Sequence, residues 1–268
     1  MSTEEAIYKV DGGLLEARVI ARPSKICKSP YLADIEIVET GEKAIAHTPA
    51  LGCAGLIAPD CTVFVGLRSG APGVSKYIVY CALDGDNLVG VHPTLANQLV
   101  RSLIERGLIC PGLGPLQSEA IEGDCRFDFC AEDEGRKTFI EVKSAIIGDY
   151  VDCLNRWRTI QLLAAKAAGA PKMAIFPYGT ERKEGLVSER ALKHVVGLTR
   201  LATEGHRSIL IYVTQRTDCD YIRISTLDAV YRKAVMEDAK AAGVEIIGVA
   251  LHWGTDGSVY FHEELEII

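Results

Sequence analysis

One stretch constrains this chain more than any other: Arg126-Phe127-Asp128-Phe129, a charged loop, then Thr138-Phe139-Ile140-Glu141-Val142-Lys143-Ser144. Both halves alternate bulky apolar residues with others, the period-2 pattern of a half-buried strand. The loop between them, Glu132-Asp133-Glu134-Gly135-Arg136-Lys137, is polar and holds a glycine, so a hairpin is the simplest connection. With the turn centred on Glu134–Gly135, Asp128 falls opposite Glu141, and residues directly opposite in an antiparallel pair share a face. Glu141 and Lys143 are two apart and share that face too. One sheet face is then predicted to carry two carboxylates and an ammonium, and the other Phe127, Phe129, Ile140 and Val142.

Such a face suits a metal-dependent phosphodiesterase. Asp128 and Glu141 are the metal ligands this reading names, holding Mg²⁺ or Mn²⁺ through oxygen and leaving room for waters and phosphate oxygens. The metal activates a water and neutralises charge on the scissile phosphate. Lys143, the third candidate catalytic residue, orients that water or stabilises the transition state. Asp, spacer, Glu-x-Lys resembles the PD-(D/E)xK nuclease core. The competing reading of the same residues is an ion pair on a solvated strand.

With 268 residues, the chain is long enough for one large domain or two small ones, and at 48% hydrophobic it can bury a sizeable core. A formal net charge of −7 argues against a broadly basic nucleic-acid binder and allows a local basic cleft. The nine cysteines are scattered, with no CxxC and no zinc-ligand spacing, which points to reduced thiols. No apolar run is long enough for a transmembrane helix, and the first residues, Met1-Ser2-Thr3-Glu4-Glu5, are acidic, unlike a signal or transit peptide. An intracellular, cytoplasmic chain with no membrane partner is the expectation.

From Ile7 to about Tyr80 the signals are strands and turns: Leu14–Ile20, Leu32–Val38, Lys43–His47, Cys61–Arg68 and Lys76–Ala82. Short strands at such spacing predict a small OB-like barrel over residues 1–85. Arg22 and Lys25, in Arg22-Pro23-Ser24-Lys25, are candidate phosphate contacts there. Residues 86–268 read as an α/β domain. It holds a helix over Thr94–Arg106, the hairpin, a helix over Tyr150–Ala168 carrying Arg156-Trp157-Arg158, and a strand over Lys172–Pro177. There follow a helix Glu189–Thr203 with Ser188 as N-cap, a strand Ser208–Thr214, a helix Asp228–Ala242, and strands Val244–Leu251 and Ser258–His262. Leu192, Val195, Val196 and Leu201 are the predicted inward residues of the helix after Ser188, with Arg190, Lys193 and His194 as its basic early turns. Glu105 and Glu119 are further candidates to send an acid toward the metal.

Taken together, several pieces resemble the sugar fermentation stimulation protein A (SfsA) family. They are Ala17 to Lys25, Ala46-His47-Thr48-Pro49 with Gly52, Val91 to Val100, and Arg126-Phe127-Asp128-Phe129. They continue through Glu141-Val142-Lys143-Ser144, Phe176-Pro177, Ser188-Glu189-Arg190 with Lys193-His194, Glu204-Gly205-His206-Arg207, and Val213 to Asp218 with Gln215-Arg216. The resemblance implies an N-terminal OB-like domain, a C-terminal PD-(D/E)xK nuclease-like domain, DNA binding and a regulatory role in sugar utilisation. Two departures stand out. The run Thr48-Pro49-Ala50-Leu51-Gly52-Cys53 lacks the polar groups usual in the family, and residues 148–172 look like an insertion.

The sequence therefore predicts an intracellular DNA-binding protein with a nuclease-like metal site built on Asp128, Glu141 and Lys143. Phosphates are met by Arg190, Lys193, His194 and Gln215 at one rim and by Arg22 and Lys25 at the other. DNA is favoured over RNA, and a homodimer is admitted but not required. A non-catalytic DNA-binding regulator on the same fold, and a small-molecule enzyme with no nucleic-acid partner, stay open.

Overall fold

The structure, a computed structural model, describes the chain except for residues 1–4, 51–52, 70–72, 134, 154–160, 162 and 179–187. It divides into two compact units, one of residues 1–99, 215–217 and 251–262, the other of residues 100–214, 218–250 and 263–268. The sequence suggested a single break at 85/86; the chain instead passes between the units at 99/100, 214/215, 217/218, 250/251 and 262/263.

Unit one is built on seven short strands: β1 (Tyr8–Lys9), β2 (Leu15–Ala21), β3 (Leu32–Ile37), β4 (Lys43–His47), β5 (Thr62–Leu67), β6 (Tyr77–Asp84) and β7 (Asn87–Gly90). Antiparallel pairs β2–β3, β3–β4, β2–β5 and β5–β6, with the parallel pair β4–β6, close β2 to β6 into a five-stranded barrel. That order and those directions are the OB arrangement the strand spacing predicted. Strand alternation turns Ala17 and Val19 of β2 inward, and with Ile35, Val63, Val65 and Val79 they are wholly buried. β1 pairs with Val259 and Ser258. Gly90, closing β7, has no room for a side chain. A Cβ there would stand 2.3 Å from Trp253 Nε1 and 2.4 Å from Gln215 Oε1.

Unit two is a mixed α/β layer. Helix α1 (Leu95–Glu105), whose second half lies in this unit, is followed by β8 (Gln117–Glu122), β9 (Cys125–Asp133), β10 (Arg136–Ser144), β11 (Gly148–Asp149) and β12 (Met173–Phe176). Then come helix α2 (Glu189–Thr203), β13 (Arg207–Thr214), β14 (Tyr221–Ile224), helix α3 (Ala229–Lys233), β15 (Glu245–Trp253), which belongs to this unit as far as Ala250, and β16 (Ser258–Leu265), which returns to it at Glu263. Strands β15, β13, β10, β9 and β8 stand side by side in that order, and β11, β12 and β14 form a smaller sheet. The expected architecture, an OB-like barrel plus a mixed α/β unit, is the one observed. Among the described residues no helix is long and apolar enough to cross a membrane, and all nine cysteines are free thiols.

Several local expectations change. Residues 150–153 are not helical, and 163–167 are; Asp152 instead bonds Ser225 Oγ at 2.8 Å and the Thr226 amide at 2.6 Å. Arg156, Trp157 and Arg158 lie outside the described residues. The segment read as an insertion supplies β11, whose Gly148 and Asp149 pair with Ala174 and Met173. Ser188 precedes α2 without a side-chain cap bond. On helix α2 three of the four predicted inward residues, Leu192, Val195 and Leu201, face the core, and Val196 does not. Ala191, His194, Val195, Gly197, Leu198 and Leu201 are buried, while Val196 is 56% exposed. The helix expected over Asp228–Ala242 is capped by Asp228, which accepts the Tyr231 amide at 2.9 Å, but from Ala234 to Ala239 it winds as a π-helix.

Candidate active site

The site grows out of the β9–β10 hairpin. The register runs from Arg136↔Asp133 to Ile140↔Phe129, the antiparallel pairing the sequence predicts. Past that point a side chain replaces the ladder: Asp128 Oδ2 accepts the Val142 N–H at 2.8 Å. This ties the Asp128 carboxylate to the backbone of the residue after Glu141, on the neighbouring strand. Strand β10 is flanked by β9 and, in parallel, by β13, which places Glu141 against Leu210 and Lys143 against Tyr212.

Glu141 is buried, at 3% exposure. Its Oε1 accepts from Lys143 Nζ and meets His194 Nδ1. Its other oxygen, Oε2, is buried with no hydrogen-bond partner among the described residues. Burial pushes this carboxyl up. The hydrogen bond from His194 and the charge and hydrogen bond of Lys143 outweigh burial and hold Glu141 below the ordinary glutamate range. A carboxylate oxygen accepts, so Nδ1 of His194 is the donor in this contact. Beside Lys143, the Tyr212 and Tyr231 hydroxyls lie 2.6 Å apart. The Phe176 ring stands 5.5 Å from Tyr212 and 5.6 Å from Tyr231, centre to centre. Both tyrosines are wholly buried.

Among the described residues no three His, Cys, Asp or Glu side chains gather into a metal cage. Two carboxylates with one bare oxygen suit a hard cation that keeps several waters, and do not suit a structural zinc. Glu105 and Glu119 are not part of this set. Glu105 pairs with Arg101 at 3.0 Å and Glu119 with Arg126 at 3.7 Å, both at the surface.

The hairpin faces need one correction. Phe127 and Phe129 were expected together, opposite Glu141. Phe127 instead packs 5.6 Å from Phe139 and 6.1 Å from His194, on the α2 side, while the Arg101 guanidinium lies 4.9 Å over Phe129.

The predicted phosphate contacts also separate. His194 is buried against Glu141 and faces no solvent. Arg190 is exposed, one helical turn before it. Lys193 pairs with Asp124 at 3.0 Å. In unit one, Lys25 is exposed, whereas Arg22 clamps its own loop, donating from Nε to Pro30 O at 3.3 Å and from Nη2 to Ala50 O. Gln215 is wholly buried, donating to His92 O at 3.3 Å and accepting from Trp253 Nε1 at 3.2 Å. Its amide is spent on packing unit one, which removes it from the nucleic-acid rim.

Fold and site thus define a class, an OB-type barrel joined to an α/β unit with an Asp, Glu-x-Lys cluster. Residues 172–257 match the family model described as the sugar fermentation stimulation protein RE domain. A sugar fermentation stimulation protein homolog of Brucella melitensis is 31% identical over 234 residues, covering 85% of this chain and 86% of the relative. One from Maricaulis maris is 28% identical, covering 88% and 89%. The structure of Pyrococcus furiosus SfsA in complex with Ca²⁺ superposes with a TM-score of 0.75 at 18% identity, covering 98% of this chain and 99% of the other. The chain belongs to the sugar fermentation stimulation protein family.

Within the matched stretch lies one residue whose place the sequence reading missed. His194 falls in the row Ala191, His194, Val195, Leu198, Leu201, so a polar residue occupies an inward position of a helical period. That break in the apolar row was the available signal.

Proposed function

We propose that this protein binds DNA, in preference to RNA, and hydrolyses phosphodiester bonds with a divalent cation held by Asp128 and Glu141. The observation that carries the reading is the bare, buried Oε2 of Glu141, next to an Asp128 carboxylate fixed by the Val142 amide. A buried carboxylate oxygen without a partner is costly, and a bound cation removes that cost. When present, Mg²⁺ or Mn²⁺ activates a water and neutralises charge on the phosphate. Lys143 holds its ammonium at the edge of the same carboxylate, where it stabilises charge developing on the phosphate. Arg190, with Lys25 in unit one, supplies phosphate contacts. The Ca²⁺ in the Pyrococcus furiosus structure supports a hard, oxygen-seeking ion here, and the relatives' names support a role in sugar utilisation.

The test is a cleavage assay on single- and double-stranded DNA and RNA with Mg²⁺, Mn²⁺ or EDTA. Cleavage with metal, lost in EDTA and in Asp128→Ala, is the expected result. The second reading is a non-catalytic DNA-binding regulator, favoured by the tie between Lys143 and Glu141. DNA binding unchanged by EDTA, with no cleavage of any substrate, would select it.

A further inference from the structure

The two oxygens of Glu141 are treated unequally. Oε1 takes both nearby donors, Lys143 Nζ and His194 Nδ1, while Oε2, equally buried, takes none. Sharing one donor with each oxygen would satisfy the carboxylate better. Lys143 reaches it on a flexible four-carbon stem and can serve either oxygen. His194 has no such freedom. Its helix is packed on β9, where a Cβ on Gly197 would stand 2.8 Å from Cys125 Sγ. Its own ring is only 7% exposed and lies against Phe127.

We propose that His194 is a positioning residue for Glu141: it pins Oε1 from the helix side, sets the rotation of the carboxylate and keeps Oε2 bare for the cation. This rests on the metal-site reading above. Lys143 is then directed to the same oxygen and cannot swing across to occupy the ligand position. The logic is that of outer partners that orient a metal-binding side chain without touching the ion.

Two substitutions separate this role from simple packing. His194→Asn places an amide nitrogen at the Nδ1 position and gives up the ring. His194→Phe keeps the ring against Phe127 and gives up the donor. Titration calorimetry with Mn²⁺ on the full chain should show the Asn variant within a few-fold of the parent. The Phe variant should bind roughly 10–100-fold more weakly, while thermal melts in EDTA show both folded. If the Phe variant does not fold, His194→Leu takes its place. The reverse order, Phe binding like the parent and Asn losing the ion, means that packing alone matters and overturns the proposal. Absence of any Mn²⁺ uptake that Asp128→Ala abolishes overturns the metal site itself, and the positioning role with it.

Discussion

At the scale of single residues, what was legible depended on how local the determinant is. Glu141 and Lys143 were readable as a pair because a strand's period of two puts them on one face; alternation did not place Asp128, because Phe127 beside it packs on the His194 side with Glu141. Gln215 and His194 were not readable, since their burial depends on which partner covers them: Trp253 and His92 for one, Glu141 for the other. Lys143→Ala is expected to leave DNA affinity nearly unchanged and remove cleavage, because the contact it supplies belongs to the transition state. Equal turnover numbers for mutant and parent would exclude that role. His92 carries a pH dependence. Burial, with the charge of His47, pushes it down to about 4, against roughly 6.5 in an unfolded chain. Between these values the unfolded chain holds a proton that the folded one lacks, so stability falls as pH drops through the window and levels off below it. Urea denaturation from pH 7 to 4 should show the fall, and His92→Gln should flatten it.

Among elements, the barrel strands β2 to β6 and helix α2 match their sequence signals closely, because alternation, turn glycines and helical period are strong there. Strand β8, Gln117–Glu122, was missed. Its Gln-Ser-Glu-Ala-Ile-Glu run is mostly exposed at the sheet edge and shows no apolar face. The exposure of Val196 on α2 was missed for a different reason. Val196 is as apolar as Val195, and only the packing of the helix on the sheet decides which of the two is buried. Gly197 records that packing, since in a solvent-facing helix it would cost about 1 kcal/mol relative to Ala. Gly197→Ala should nevertheless lower the melting temperature. The new methyl meets Cys125 Sγ at 2.8 Å and Phe127 Cζ at 3.1 Å, an overpacking cost of about 1–3 kcal/mol. Because Phe127 also contacts His194, the same variant should weaken Mn²⁺ binding. A raised melting temperature would show that the helix can shift outward freely.

For the whole molecule, the two architectures were legible and their boundaries were not. A boundary drawn along the sequence assumes that each unit is one continuous piece. Here unit one takes Gln215–Thr217 and Leu251–His262 from far downstream, and the dependence is physical. The Ile7 amide bonds Val259 O at 2.8 Å, the Val10 amide bonds Gly257 O at 2.9 Å, and the Gly90 amide bonds Gln215 O at 2.8 Å. Trp253, 1% exposed, lies 6.3 Å from the Tyr80 ring. Residues 1–99 made alone should therefore give no cooperative thermal transition; a sharp one would show that the barrel needs none of these contacts. The same interleaving sets an order in time. While the chain is being translated, the first strands to leave the ribosome must wait for residues near position 260 before their unit can close. Through most of synthesis it is a barrel lacking its β1 partner strand and the Trp253 cover that chaperones and proteases meet.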